Sequence, residues 1–341
     1  MPKLSVAIVG YGTIGKRVTD AVNLQSDMRV VGMVKTKPDI FTRAAVERGI
    51  PLYSATKEGL RAFSEAKIDV QGSIGDLLSK GGVDIVVHCA AEGSGEKNKP
   101  LYQRAGLKAI FQGGEEPEIA EASFVAEANY DEAVGRQFVR VVSCNTTGLA
   151  RTVSRVLRVS GIKKLRATIV RRGADPFESK KGPINALLPN PSRLPSHHGR
   201  DLQTVLHGLP VVTAAVVTPT TLMHMHVVNA ELEEKLSADR ILDSFSESKR
   251  IRLVSSSEGL DSTASVMELA RDMGRKRGDM PEVVVWKESV SIADGDLYYL
   301  QAVHQESIVV PENVDAIRAA CELEREGARS ITVTNKSLGL E

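Results

Sequence analysis

The residue best equipped for chemistry is Cys144. It stands in the run Val-Val-Ser-Cys-Asn-Thr-Thr-Gly, where a β-branched stretch (Val139–Ser143) hands over to a helical pattern. The first turn of a helix favours a thiolate, through unpaired N–H groups and the macrodipole. Asn145, Thr146 and Thr147 add donors around the sulfur. Such a cysteine is either a nucleophile or a small buried hydrophobe. A nucleophile needs a base. His224 and His226 alternate along a strand pattern, "TTLMHMHVV", and share a face. His197 and His198 lie in a proline-rich loop. This histidine set lacks a carboxylate or thiolate at metal-ligand spacing, so no metal is expected. Cys89, at a strand end, and Cys321, on an apolar helix face, read as core.

A second chemical feature is the loop "VAIVGYGTIGKRV", with Gly10, Gly12 and Gly15 spaced G-x-G-x-x-G between a strand and a helix. The first glycine permits a tight turn, the second lets backbone approach a pyrophosphate, and the third lets helix and strand pack closely. A dinucleotide is therefore expected, on a helix N-terminus. The next strand ends "VVGMVKTKPD", with Lys35 and Thr36 where an NAD site carries an acid. A lysine and a hydroxyl can bind a 2′-phosphate, so NADP is expected to be preferred, with NAD as the alternative. Arg171 and Arg172, at a strand end, are candidate anion or nicotinamide-side contacts, since arginine grips phosphate bidentately.

These groups need a scaffold. The first third alternates apolar strand runs (Leu4–Val9, Arg29–Val34, Val83–His88, Lys108–Gln112, Val139–Ser143) with amphipathic segments such as Ile14–Asn23 and Ile74–Lys80. That pattern predicts an α/β, doubly wound parallel sheet. Past the helix at about 147–160, which buries Leu149 and Val153 and presents Arg151, Arg155 and Arg158 elsewhere, longer alternating strands appear. They are Lys164–Arg172, Val211–Val217, Thr221–Ala230, Glu282–Trp286 and Leu297–His304, with helices at Asp201–Leu206, Ala238–Phe245 and Ser262–Met273. This predicts an α+β domain with a mostly antiparallel sheet. The segment Lys180–Arg200 carries four prolines and two glycines and has the length of a functional loop. With 44 basic and 43 acidic residues, the charge balance gives no sign of nucleic-acid or membrane binding. No targeting segment is read at the N-terminus, and a cytoplasmic protein is expected.

Taken together, "GYGTIGKRV" and "SCNTTGLARTV" resemble glyceraldehyde-3-phosphate dehydrogenase, specifically the archaeal type. "IFQGGE", "RATIVRRGADP", "KKGPINALLPNP", "PSHHGRD", "PTTLMHMH" and "AVHQESIVVPENVDAIRA" extend the resemblance over nearly the whole chain. The bacterial and eukaryotic enzymes have Ser-Cys-Thr-Thr-Asn, whereas here Asn145 follows the cysteine directly. The resemblance implies a phosphorylating oxidation of D-glyceraldehyde 3-phosphate to 1,3-bisphosphoglycerate with NADP or NAD. Cys144 would attack the aldehyde, and inorganic phosphate would cleave the thioester. His224 aligns best with the family's base, with His226 as its rival. Ser143, Asn145, His198 and Gly199 would hold substrate and phosphate. Thr13, Ile14, Gly114, Arg172 and Gln305 would join Gly10, Gly12, Gly15, Lys35 and Thr36 around the cofactor. The final helix, Pro311 to Glu326, would pack back on the nucleotide-binding domain. The implied domains are 1–142 with 306–341, and 143–305, in a homotetramer. The nearest rival is an aspartate-semialdehyde or acyl-phosphate reductase of the same fold.

Overall fold

The computed structural model describes residues 3–80 and 82–340. They form two compact units. The first runs to Val142 and takes in Val310–Gly339, and the second is Ser143–Val309 with Leu340. The chain re-enters the first unit at Val310 rather than at residue 306. The reason is local: Glu306 accepts from Arg172, and Ser307 bonds His304, inside the second unit.

The first unit holds a seven-stranded, all-parallel sheet. Its spatial order is Leu52–Ser54, Met28–Lys35, Leu4–Val9, Ile85–His88, Lys108–Gln112, Phe138–Val141, Ala122–Phe124. Val6, Ala7 and Ile8 are fully buried, which explains their unbroken apolar run. The strand order reverses between Leu4–Val9 and Ile85–His88. Reversal opens a crevice beyond the carboxyl ends of those two strands, the usual ligand position in such sheets. Gly10 lies there.

Instead of one long terminal helix, two appear: Val310–Ala320 and Gly327–Leu338. Between them Glu322 takes φ +56° and the Leu323 N–H returns to the Arg318 carbonyl, which stops the first helix. Buried Arg318 ties the return to the sheet. Its Nε donates to Asp27 at 2.7 Å, its Nη2 to Gln25 at 2.8 Å, and its Nη1 to Thr334 at 2.6 Å.

The second unit has a mixed sheet in the order Ile251–Val254, Val283–Trp286, Asp296–Val303, His224–Leu232, Ile162–Arg172, Val211–Thr218, Leu188–Pro189, with Ser291–Ala293 beside Asp296–Val303. Two pairings are parallel (Ile162–Arg172 with Val211–Thr218, and Ile251–Val254 with Val283–Trp286), and the others are antiparallel. Helix Cys144–Leu157 packs on this sheet and buries Leu149, Ala150 and Val153 completely. Arg151 and Arg155 are buried too, against the amphipathic reading. Arg151 donates to the carbonyls of Pro281 (2.6 Å) and Ile308 (2.8 Å), and Arg155 to that of Ser244 (2.7 Å). Buried guanidinium groups persist only with such partners.

At Gly148 the helix approaches the sheet so closely that an added Cβ would collide with the Val303 side chain. Gly148→Ala should therefore destabilise the protein by about 1–3 kcal/mol through overpacking, despite alanine's better helix propensity. A fall in the thermal or denaturant midpoint would show it, and an unchanged or raised midpoint would refute it.

Candidate active site

In the first unit, the three glycines of the loop do separate jobs. Gly10 takes φ +96°, and a Cβ there would lie 2.5 Å from the Ala90 nitrogen, across the strand reversal. At Gly15 a Cβ would strike the Gly10 carbonyl oxygen. Around Gly12 a Cβ would meet nothing within 4 Å. Gly12 is also the N-cap of helix Thr13–Asn23 and offers no side-chain cap bond. Thr13 and Ile14, at its start, are half-buried. These features fit a dinucleotide pyrophosphate.

At the end of the neighbouring strand, Lys35 is already engaged. Its Nζ lies 2.7 Å from Asp39 Oδ2 and donates to the Tyr11 carbonyl at 3.0 Å. Asp39 in turn caps helix Ile40–Glu47 through the Thr42 N–H. Although burial opposes it, the bonds from Lys35 and Thr42 hold its carboxyl below the usual range. Thr36 is exposed. Gly114 follows strand Lys108–Gln112 and has ordinary room for a Cβ, the nearest atom being 3.6 Å away on Glu92.

In the second unit, Cys144 is the first residue of its helix and is half-buried. Ser143 is the N-cap: its Oγ accepts from the Thr146 N–H at 3.3 Å and bonds Thr146 Oγ1 at 2.9 Å. Thr146 Oγ1 also bonds buried Asp201. Ser143 is thereby built into the helix start. Burial pushes the Cys144 thiol up to about 11. Arg171, Arg172 and the Asn145 N–H pull the other way, and Glu306 adds to the upward push. A low resting pKa, the simple expectation for a helix N-terminus, is thus outweighed by desolvation. Cys89 and Cys321 are half-buried rather than core, and burial raises both thiols.

The two histidines of "HMH" have different surroundings. His224 is 1% exposed, and its Nδ1 accepts from the Arg172 N–H at 2.9 Å. That bond assigns the ring proton to Nε2. Nε2 is buried and meets no partner at hydrogen-bond geometry among the described residues, with the Gln305 carboxamide close by. Burial, and then Arg172, keep the ring well below the usual histidine range, while the adjacent Gln305 carboxamide opposes this weakly. His224 is therefore neutral and presents an N–H donor. His226 is fully buried, with Nε2 2.9 Å from Asn145 Oδ1 and Nδ1 2.9 Å from Gln301 Nε2.

Arg172 and Arg171 also diverge. Arg172 donates to Gln305 Oε1 (2.9 Å), to the Thr221 carbonyl (3.2 Å), to Glu306 (2.5 Å) and to Asp175. Its guanidinium is committed to protein, and so is the Gln305 oxygen. Arg171 bonds Asn190 at 2.5 Å, and its Nε is buried without a partner.

Arg171 lines a cleft of about 770 Å³ with Asn190, Arg193, Ser196, His197 and Arg200. Three guanidinium groups there suit an anion. His198 and Gly199 do not line this cleft. The Gly199 N–H donates to Thr213 at 2.9 Å. His198 is 2% exposed, bonds Ser196 Oγ at 3.2 Å and is pushed down to about 3, chiefly by burial. Arg193, Arg200 and Asn190 were not singled out in the sequence, whereas His197 was named there with the histidines of the same loop. The available signal was their place in the long proline-rich loop.

Residues 143–289 match the family model of the glyceraldehyde 3-phosphate dehydrogenase C-terminal domain. The chain is 53% identical to glyceraldehyde-3-phosphate dehydrogenase of Methanopyrus kandleri, covering 100% of this chain and 98% of that protein. It is 50% identical to the same enzyme of Methanococcoides burtonii, covering 100% of each. The chain belongs to the glyceraldehyde-3-phosphate dehydrogenase family. It is an oxidoreductase of that family, and the family uses a nicotinamide cofactor. Aspartate semialdehyde dehydrogenase II of Vibrio cholerae shares the fold at a TM-score of 0.65 and 14% identity, covering 95% of this chain and 99% of that one. That likeness is one of fold alone and lends no support to the aspartate-semialdehyde rival.

Proposed function

We propose that the chain oxidises D-glyceraldehyde 3-phosphate to 1,3-bisphosphoglycerate, with Cys144 as nucleophile. The observation that carries the assignment is the docking of the histidine strand on the cysteine helix: His226 Nε2 lies 2.9 Å from Oδ1 of Asn145, the residue after Cys144, while His224, on the same strand face, accepts at Nδ1 from the Arg172 N–H. Cys144 ionises, its proton passing to water at the half-open sulfur. The thiolate adds to the aldehyde carbon, and the C=O π pair moves to oxygen. His224 Nε2–H donates to that oxygen, a role for which its fixed tautomer is suited. The Gly10–Gly15 loop would hold the dinucleotide, whose nicotinamide would supply a hydride acceptor for the oxidation of this carbon. The resulting thioester is attacked by a phosphate oxygen, and the Cys144 thiolate departs. Arg171, Arg193 and Arg200 are proposed to hold the anions. His224 acts here as a donor, rather than as the base that the resemblance implied.

Steady-state turnover of D-glyceraldehyde 3-phosphate should require inorganic phosphate. Equal rates with and without phosphate would overturn the phosphorylating assignment. The family resemblance supports a homotetramer in the cytoplasm, to be tested by sedimentation and fractionation. No helix among the described residues is long and apolar enough to cross a membrane.

NADP preference is proposed with a qualification that the Lys35–Asp39 pair imposes. A 2′-phosphate must compete with the Asp39 carboxylate for the same ammonium. Asp39→Asn keeps the helix cap but frees Lys35 and removes a negative charge. It should shift the ratio of dissociation constants toward NADP by about tenfold, equivalent to roughly 1.4 kcal/mol. Fluorescence titration of both cofactors measures this, and an unchanged ratio would place the 2′-phosphate elsewhere.

A further inference from the structure

We infer that Asn145 is a second donor to the substrate oxygen at Cys144, and that Tyr299, Thr152, Gln301 and His226 form a one-way hydrogen-bond relay that holds its carboxamide for that task. The inference rests on Cys144 being the nucleophile. All five side chains are at most 2% exposed. Tyr299 Oη donates to Thr152 Oγ1 at 3.0 Å. Thr152 Oγ1 lies 2.7 Å from Gln301 Oε1 but 3.3 Å from the Gly148 and Leu149 carbonyls. The shorter bond takes the hydroxyl proton. With Oε1 so occupied, Gln301 turns its Nε2 to His226 Nδ1 at 2.9 Å. A histidine that accepts at Nδ1 carries its proton on Nε2, and that proton goes to Asn145 Oδ1 at 2.9 Å.

The end of the relay is the residue beside the nucleophile. Oδ1 of Asn145 is turned inward, and Nδ2 has no partner among the described residues. The Asn145 main-chain N–H already faces the sulfur. An unrestrained carboxamide could turn over and present Oδ1 to the developing oxyanion, which repels it. The relay forbids that rotation, because a turned Asn145 would set Nδ2 against the His226 N–H. His226 keeps its single proton, since burial pushes it down to about 3. The paired histidines thus have separate duties: His224 presents its own N–H, and His226 positions that of Asn145.

Thr152 offers a test remote from the reacting atoms. Thr152→Val keeps the shape and removes the hydroxyl, whereas Thr152→Ser keeps the hydroxyl. Thr152→Val should lower kcat about tenfold, part of the 10²–10³-fold effect of losing an oxyanion donor outright. KM should hold, and so should the rate of Cys144 alkylation by iodoacetamide, which forms no oxyanion. Thr152→Ser should retain the wild-type kcat. Tyr299→Phe, which removes only the outermost hydroxyl, should give a smaller loss with the same pattern and serves if the valine variant fails to fold. Wild-type kcat in both Thr152→Val and Tyr299→Phe would overturn the relay. So would equal losses in the valine and serine variants, or a parallel fall in alkylation. Failure of the nucleophile reading is separate: it would appear as turnover surviving in Cys144→Ala.

Discussion

Replacing Cys144 with alanine should lower kcat by about 10⁴-fold or more, the scale seen when a covalent nucleophile is removed. Dissociation constants for NAD and NADP should stay within about twofold, because the cofactor residues proposed here lie on the Gly10 loop and the Lys35 strand. Stability should change little: the side chain is half-buried and contributes no disulfide. Cysteine chemistry in this protein also carries a pH signature. The thiol sits at about 11 in the free protein, above the ordinary cysteine value. A raised pKa leaves the thiol protonated at neutral pH. Alkylation of Cys144 should therefore climb about tenfold per pH unit between roughly pH 7 and 10, since only the thiolate reacts. A rate already on its plateau at pH 7 would show that Arg171 and Arg172 overcome burial. Turnover near the wild-type rate in Cys144→Ala would sink the covalent mechanism altogether.

The second large effect is expected at Arg172. Arg172→Ala leaves Glu306 buried at 3% exposure and deprives Asp175 and Gln305 of a donor. Breaking one side of a buried ion pair costs about 3–5 kcal/mol, so a marginally stable domain would lose a large part of its stability. Glu306→Gln in the Arg172→Ala background removes a buried charge left with His304 alone and should restore a substantial part of the loss. An Arg172→Ala loss below about 1 kcal/mol in denaturant unfolding would mean that the network is solvated.

The same group fixes a pH dependence. Although burial opposes it, His304 and Arg172 bring Glu306 down to about 2 from 4.5. A depressed carboxyl stabilises the fold above its unfolded pKa. That stability is fully present above about pH 4.5 and is lost as pH falls toward 2. Its size is about 3 kcal/mol. Glu306→Gln should flatten the acid limb of the stability curve over that window.

Much of the scaffold was legible because its signals are local. The parallel sheet showed in runs such as Val6-Ala7-Ile8, whose two-sided burial requires apolar residues throughout. The glycine loop showed because Gly10 and Gly15 answer steric demands that no other residue meets. Helix Gly327–Leu338 left no such mark. Its sequence opens on glycine and holds two threonines, two serines, an isoleucine and a valine, all of modest or poor helix propensity. It is held by Ser330 and Thr334, whose hydroxyls bond the fully buried Asp315 at 2.6 and 2.5 Å. Strands Leu52–Ser54 and Ala122–Phe124 are too short to display a period, and pairing alone defines them.

At the site the division is sharper. Sequence by itself picked out the candidates for chemistry: a cysteine at a strand-to-helix seam, a paired-histidine strand, and a glycine loop opening a helix. Residue type and neighbouring spacing suffice for that. Tertiary structure alone decided the surroundings of each one. It assigned the His224 proton to Nε2 through the Arg172 N–H, and it bound His226 to Asn145. It engaged Lys35 with Asp39 and committed Arg172 to Glu306 while leaving Arg171 at the cleft. Protonation state and hydrogen-bond direction depend on burial and on partners that are far apart in the chain. His226 and Gln301, 75 positions apart in sequence, bond at 2.9 Å only once the sheet has formed.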